Sequence, residues 1–154
     1  MRFLGTYPPL LFVLSGMSSL AASCGDLTAL TIPATAFASA VAVPAGPFSP
    51  AGEAGGGGAP KRPFPAFCRV LAVAKPVPDS EIRIEIWLPG SIAWHGKPLG
   101  TGNGGYSGAS GCNNMASGLR LGYAVAGSNT GHEGGDLKFG VGHPERINDW
   151  ANGA

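Results

Sequence analysis

The chain has 154 residues, a formal net charge of +1 and 12% charged side chains. Proteins that bind nucleic acids concentrate Lys and Arg on one surface to neutralise phosphates, so this composition argues against a nucleic-acid partner. The low charge also argues against a chain that stays disordered through charge repulsion. The 26 Gly and 14 Pro indicate many turns and long loops around a core that is hard to close.

Residues 1–23 have the pattern of a secretory signal peptide. Arg2 gives a positive start, Leu10–Leu14 forms an apolar centre, and Ser19–Ser23 offers small residues for cleavage. The apolar run is too short to cross a bilayer core of about 30 Å, so we expect a secreted or periplasmic protein that keeps no membrane anchor. A lipoprotein signal with an acylated Cys24 is the alternative, because small residues precede that cysteine.

The first part of the mature chain predicts an extended segment and then a linker. Leu27–Val43 alternates loosely between apolar and small polar residues, as in a segment that packs on a later sheet. Pro44–Pro65 contains a run of four glycines and several prolines, which prevent regular structure and predict a flexible connection.

Two strands then predict an antiparallel hairpin. Cys68–Ala74 is rich in β-formers, Asp79 and Ser80 form the turn, and the second strand begins at Ile82. In this strand Ile82, Ile84 and Ile86 alternate with Arg83, Glu85 and Trp87. The alternation is typical of a strand with one buried face, so the isoleucines are expected inside. The charged side chains of Glu81, Arg83 and Glu85 are expected in solvent, without a catalytic role.

A third strand, Trp94–Gly100, leads into a loop with a glycine at almost every second position, Gly102–Gly108. Asn113 or Asn114 can cap the helix that follows and ends at Gly122, and Tyr123–Gly127 predicts a short buried parallel strand. A glycine loop between a strand and a helix either cradles a phosphate or contributes to an oxyanion hole. The motif Gly-Lys-Ser/Thr and an acidic residue at ribose distance are both absent, which disfavours the phosphate.

Seven short motifs occur in one order along the chain: Pro65–Val70, Ile82–Pro89, Trp94–Gly96, Gly102–Gly105, Gly122–Ala124, Asn129–His132 and Gly142–Glu145. In this order they resemble the N-terminal part of the tannase and feruloyl esterase family, which are secreted α/β-hydrolases. The resemblance covers roughly Cys24–Trp150. It implies an α/β fold, namely the N-terminal part of an α/β-hydrolase with an incomplete mixed sheet. It also implies hydrolysis of galloyl- or feruloyl-type aromatic esters by a Ser-His-Asp mechanism.

The resemblance further implies roles for individual residues. The main-chain N–H of Gly105, and after it that of Gly104, is expected to form part of the oxyanion hole, and Asn103 is expected to hold the loop in shape. Three cysteines in an exported chain indicate one disulfide, and the family positions pair Cys24 with Cys68. The third cysteine, Cys112, falls in the predicted linker after the loop. The expected partner is a small aromatic ester; no cofactor is implied, and no spacing of His, Asp and Glu matches a metal site.

The nucleophile, acid and base of the family are expected outside this chain. No Gly-x-Ser-x-Gly motif occurs, so residues 24–154 are interpreted as an N-terminal portion that ends before the nucleophile and is inactive alone. His132 could be imagined as a general base, but no neighbour in sequence orients it, and a structural role is expected. The family usually has aspartate where Asn129 stands. Two alternatives stay open: a non-enzymatic β-rich secreted module whose glycines only turn the chain, and a phosphate or nucleotide binder.

Overall fold

The computed structural model describes residues 23–49 and 62–152. The predicted signal peptide and the middle of the predicted linker lie outside these residues. The described elements are a 3-10 helix (Cys24–Ala29), β1 (Thr35–Val43), β2 (Phe67–Ala74), β3 (Ile82–Pro89), β4 (Pro98–Thr101), α1 (Cys112–Arg120), β5 (Ala124–Ser128) and α2 (Pro144–Asn152). None of the described helices is long and apolar enough to cross a membrane.

The strands form one mixed sheet in the order β1-β2-β3-β5-β4. The neighbours β1 and β2, β2 and β3, and β3 and β5 are antiparallel, whereas β4 and β5 are parallel and α1 connects them. The predicted hairpin is confirmed as β2 and β3, and Ser80 N–H donates to the carbonyl oxygen of Val77 (3.0 Å) in its turn. The parallel strand after α1 is confirmed as β5.

One face of the sheet packs against α1 and carries the core. Its buried members are Phe64, Phe67, Trp87, Cys112, Met115, Ala116, Leu119 and Val125. Trp87 is completely buried, and the ring of Phe48 meets it edge-on with centroids 5.7 Å apart. Edge-to-face ring contacts contribute stability beyond the area that they bury. This aromatic cluster therefore stabilises the core where β3 passes under the helix.

The start of α1 differs from the prediction, whereas its end is as predicted. The N-cap is Gly111 in the left-handed region (φ 71°), so Cys112 begins the helix instead of lying in a linker, and neither Asn113 nor Asn114 is the cap. The carbonyl oxygen of Gly111 accepts from two N–H groups of the first turn, which makes it the start of the helix. The predicted glycine end at Gly122 (φ 83°) is confirmed, and it forms a Schellman motif with the carbonyls of the last turn.

The exposure expected for Glu85 is wrong. The residue is 6% exposed, and the carboxylate accepts from Arg69 Nε (2.6 Å) and Nη2 (3.0 Å) and from Trp87 Nε1 (2.6 Å). The face of β3 that carries Trp87 is the one that α1 covers, so Glu85 beside it is buried too, whereas Arg83 stays exposed as expected. Ile84 and Ile86, expected inside, are only half-buried.

Two predicted extended segments are shorter than expected. β4 begins only at Pro98, because the N–H groups of Ala93 and Trp94 donate to the carbonyl oxygen of Gly90 in a turn, and Gly96 has a φ of 87°. The N-terminal segment predicted as extended from Leu27 begins as the 3-10 helix and becomes a strand at Thr35.

A disulfide joins Cys24 in the 3-10 helix to Cys68 in β2, with Cα atoms 5.7 Å apart. This distance is ordinary for a disulfide. The bond closes a sequence separation of 44 residues and fixes the start of the described chain to an inner strand. The pair is the one that the family resemblance implies.

Candidate active site

Residues 102–111, here called the glycine loop, run from the carboxyl end of β4 to the start of α1. Gly104 and Gly105 are exposed at its tip, and Gly105 has a φ of 59°, which glycine adopts without strain. Among the described residues, no hydrogen-bond acceptor receives the N–H of Gly104 or Gly105. The strand-to-helix placement of the loop is confirmed, and both N–H groups are available to a ligand.

Asn103 attaches the beginning of the glycine loop to the sheet. Its Nδ2 donates to the carbonyl oxygen of Ser128 at the end of β5 (2.9 Å). One residue before the loop, Thr101 Oγ1 donates to the carbonyl oxygen of Ala126 (3.0 Å). The loop therefore leaves the sheet in a fixed direction, and Asn103 has the loop-holding contact that was expected of it.

The middle of the glycine loop rests on residues 129–134, here called the bracing segment. His132 Nε2 lies 3.0 Å from the carbonyl oxygen of Tyr106. Two residues later, Gly108 N–H donates to the carbonyl oxygen of Gly134 (2.7 Å). A Cβ at Gly108 would overlap the carbonyl of His132, so only glycine permits this close approach. The spacing of glycines indicated a loop, but it carried no sign of the segment that supports it.

The bracing segment is itself tightly folded. Asn129 is buried, its N–H donates to the carbonyl oxygen of Arg83 (3.0 Å), and its Oδ1 accepts from the N–H groups of Arg83 (2.8 Å) and Gly131 (3.1 Å). Thr130 and Gly131 both have positive φ, 52° and 80°. Asparagine therefore keeps the acceptor that an aspartate would place here, although it removes the charge.

His132 is 6% exposed, and each of its ring nitrogens lies within 3.5 Å of an oxygen of the protein. The ring stacks on Phe139 with centroids 4.1 Å apart and an interplanar angle of 16°, and Nδ1 lies 3.5 Å from Thr130 Oγ1. Because a carbonyl oxygen only accepts, Nε2 carries the hydrogen that is shared with Tyr106. These contacts agree with a structural role for His132, and within the part of the chain that the structure describes no serine hydroxyl bonds to the ring.

The other two histidines lie away from the loop. His95 is exposed, and its ring meets Tyr123 edge-on at 4.3 Å. His143 Nδ1 pairs with Asp79 Oδ2 (2.9 Å), which links the turn of the hairpin to the start of α2. Within residues 23–49 and 62–152, no group of three or more His, Cys, Asp and Glu side chains has a metal-binding arrangement.

A buried hydrogen bond that the sequence did not indicate also joins this turn to α2. Ser80 Oγ donates to Asp149 Oδ1 (2.9 Å), and both side chains are buried. A Cβ at Gly131 would press on the Asp149 side chain, so α2 packs directly against the bracing segment. Serine and aspartate far apart in sequence give no local pattern, and only the folded chain shows the pair.

A cleft of about 1290 Å³ opens between the sheet and the two loop segments. Its walls include Leu71, Val73 and Arg83 from the sheet and Tyr106 and Ser107 from the glycine loop. Gly104 and Gly105 do not line it. The expectation that the Gly105 N–H opens into a cleft therefore stays a prediction.

Sequence and structure comparisons relate the chain to known esterases. The family model described as tannase and feruloyl esterase matches residues 68–154. An uncharacterized esterase of Xanthomonas campestris is 40% identical over 135 residues, which are 86% of this chain and 22% of that protein. A probable feruloyl esterase B-2 of Aspergillus flavus is 45% identical over 68 residues, or 44% of this chain and 13% of that protein.

The crystal structure of feruloyl esterase B from Aspergillus oryzae is similar over 83% of this chain and 25% of that chain, with a TM-score of 0.73 and 30% identity. This similarity confirms the predicted fold class, a mixed sheet of the α/β-hydrolase type. The chain spans a quarter or less of the length of these relatives.

Proposed function

Because the chain belongs to the tannase and feruloyl esterase family, we propose that it works as the N-terminal part of a secreted carboxylic ester hydrolase. The substrates are aromatic esters of galloyl or feruloyl type, and this segment contributes the oxyanion loop. A serine, a histidine and an aspartate from chain beyond residue 154 supply the nucleophile, base and acid. The observation that carries the proposal is the pair of exposed N–H groups at Gly104 and Gly105, on a loop braced from both sides.

The chemistry needs such donors whenever a nucleophile adds to the carbonyl, first when the serine attacks the ester and again when water attacks the acyl-enzyme. When the serine oxygen bonds to the ester carbonyl carbon, its proton passes to the histidine, and the π electron pair of the carbonyl moves to the carbonyl oxygen, which becomes negative. A backbone N–H already aimed at this oxygen stabilises the tetrahedral intermediate, and one such donor typically lowers the barrier by about 3–4 kcal/mol. Collapse of the intermediate re-forms the carbonyl and expels the alcohol, which takes a proton from the histidine. A rigid loop is useful here because it spends no free energy on reorganisation during the reaction.

Secretion is supported by two features of the chain. The pattern of residues 1–23 is that of a signal peptide, and a disulfide joins Cys24 to Cys68. Disulfides persist in oxidising compartments and are rare in the cytosol. A thiol held in this bond is not available for acylation, which favours a cleaved signal peptide over the lipoprotein alternative.

The oxyanion assignment is tested by paired substitutions at Gly105 in the complete esterase. Both Gly105→Ala and Gly105→Pro disturb the φ of 59°, but alanine keeps the N–H and proline removes it. Alanine in the left-handed region costs about 1–2 kcal/mol. We expect Gly105→Pro to lower kcat by about two to three orders of magnitude and Gly105→Ala to lower it far less.

Gly102→Ala is the folding control, since Gly102 is not an assigned donor and no described atom lies within 4 Å of the position of its Cβ. Methyl ferulate and methyl gallate are the assay substrates, and near-ultraviolet circular dichroism checks that each variant is folded. If folded Gly105→Pro and Gly105→Ala proteins hydrolysed both esters equally well, the N–H would have no part in the reaction. The glycines would then be turn formers only.

A further inference from the structure

We propose that His132 is a positioning residue for ester hydrolysis and orients the Gly105 N–H through two intervening peptide groups. The inference rests on the proposed function, because it concerns the same oxyanion donor. It differs from the role of a general base, since the histidine would act only through its hydrogen bond to the carbonyl oxygen of Tyr106.

The path from His132 to Gly105 consists of two hydrogen bonds and two planar peptides. His132 Nε2 donates to the carbonyl oxygen of Tyr106 (3.0 Å). The same peptide group carries the N–H of Ser107, which donates to the carbonyl oxygen of Gly104 (3.2 Å). The peptide group of that carbonyl in turn carries the N–H of Gly105. Each link therefore fixes the plane of the next peptide.

Peptide planarity gives this path a direction. In a trans peptide the C=O and N–H bonds point to opposite sides, and no described peptide is cis. Because the Gly104 carbonyl points toward the Ser107 N–H inside the turn, the Gly105 N–H points away from the turn. This agrees with the exposure of Gly105 and with the lack of an acceptor for its N–H among the described residues.

The same alignment polarises the terminal donor. Hydrogen bonds that run head to tail through peptide groups polarise one another. The first donor, His132, is buried, and its ring is held by Phe139 and by the nearby hydroxyl of Thr130. The path therefore starts from a fixed, dry group and ends at an exposed N–H, where an oxyanion would complete it.

Three substitutions at His132 in the complete esterase separate this role from others. His132→Gln places an amide nitrogen close to the position of Nε2 and keeps a donor for Tyr106. His132→Asn is shorter, so its amide reaches only the position of Nδ1, and His132→Leu has no donor. We expect the asparagine and leucine variants to lose at least about tenfold in kcat with little change in KM, since the Gly105 N–H that they misdirect would be used only in the transition state. Glutamine should retain most of the activity with the pH profile unchanged.

A second readout does not need activity. Hydrogen exchange of the amide of Ser107 in the 154-residue chain should be at least about tenfold faster with His132→Asn than with His132→Gln, because the turn opens when Tyr106 is released. His143→Asn is the matched control, since this histidine pairs with Asp79 and does not touch the glycine loop. It should leave both exchange at Ser107 and kcat unchanged.

Gly108→Ala gives an independent way to disturb the path. The added Cβ would overlap the carbonyl of His132 and push the loop off the bracing segment without changing the imidazole. It should reproduce the loss of kcat and the faster exchange seen with His132→Asn, so the inference stays testable if that variant does not fold.

Each outcome bears on a different claim. If His132→Asn and Gly108→Ala kept full kcat while Gly105→Pro lost it, the positioning role would be refuted and the oxyanion assignment would stand. If His132→Gln lost as much activity as His132→Asn and one limb of the pH profile vanished, His132 would be a general base. If Ser107 exchange were equal in the asparagine and glutamine variants, the path of hydrogen bonds would not exist, whatever the activity.

Discussion

The carboxylate of Glu85 accepts three hydrogen bonds at a place that solvent barely reaches. Arg69 holds both of its oxygens in a two-pronged contact, and the indole of Trp87 donates to one of them. A buried charge is tolerated only when it is paired and its lone pairs are used. Removing the acceptor would leave the buried indole N–H of Trp87 without its partner oxygen and would break two hydrogen bonds of Arg69.

We expect Glu85→Ala to lower the free energy of unfolding by about 2–3 kcal/mol. The value lies below the roughly 3–5 kcal/mol lost when a fully buried pair is broken, because the Arg69 side chain keeps 20% of its surface in solvent. Urea denaturation followed by tryptophan fluorescence measures the loss, since Trp87, one of the three tryptophans, is fully buried in the native state. A loss below the error of the fit would show that the pair is solvated.

Glu81→Ala is the matched control on the same strand edge. The hydrogen bond from Lys75, and after it the one from Arg83, holds the pKa of Glu81 below its ordinary value of 4.5. A lowered pKa in the folded state means that the pairs stabilise the fold above the unfolded pKa and lose this effect as pH falls through the folded pKa. Because Glu81 is exposed, water screens these pairs. We expect little change in stability and only a slight dependence on acid pH.

At the scale of elements, alternation and turn residues were enough to predict the hairpin of β2 and β3. They did not predict which face of β3 is buried, because that is decided by α1, which lies later in the chain and packs over Trp87. The start of β4 was predicted too early because the apolar residues around Trp94 resemble a strand. In the structure, Trp94 belongs to a turn whose N–H groups donate to the carbonyl oxygen of Gly90. Local patterns thus predicted the elements, and tertiary contacts decided their exposure and bounds.

The candidate site divides in the same way. The exposed glycines of the loop could be found from spacing, since only glycine allows positive φ and close approach. The support from His132 could not, because the contact with Tyr106 spans 26 residues. A buried histidine without neighbouring acids offers no sequence signal for such a role.

The disulfide determines how firmly the 3-10 helix stays on the sheet. Replacing Cys24 by serine should lower the free energy of unfolding by about 4 kcal/mol, because the opened chain regains the entropy of a loop of 44 residues. Cys112→Ala is the control for the pairing of the cysteines. Peptide mapping of this variant without reduction should still find Cys24 joined to Cys68. An acylated Cys24 in the exported protein would instead establish the lipoprotein alternative.

At the scale of the whole molecule, we expect the 154-residue chain alone to show no turnover of methyl gallate or methyl ferulate. Without a nucleophile and a base no tetrahedral intermediate forms, so the oxyanion donors have nothing to stabilise and no acyl-enzyme is made. The assay compares the folded chain with feruloyl esterase B from Aspergillus oryzae as the active reference. Hydrolysis that stays with the chain through purification would mean that the catalytic groups lie within it, and the serines near His132 would need to be tested.

The contacts that shape the glycine loop also bear on how esterase sequences can be recombined. The loop and the segment that braces it both lie between Pro98 and Gly134, connected through α1 and β5. A chimera with crossover points outside this stretch inherits both the glycine loop and the bracing segment from one parent. A crossover inside α1 would join the loop of one parent to the brace of another, and a single bulkier residue at position 108 would then separate them. In a library of chimeras, inactive but folded members should therefore concentrate among those with a junction in α1.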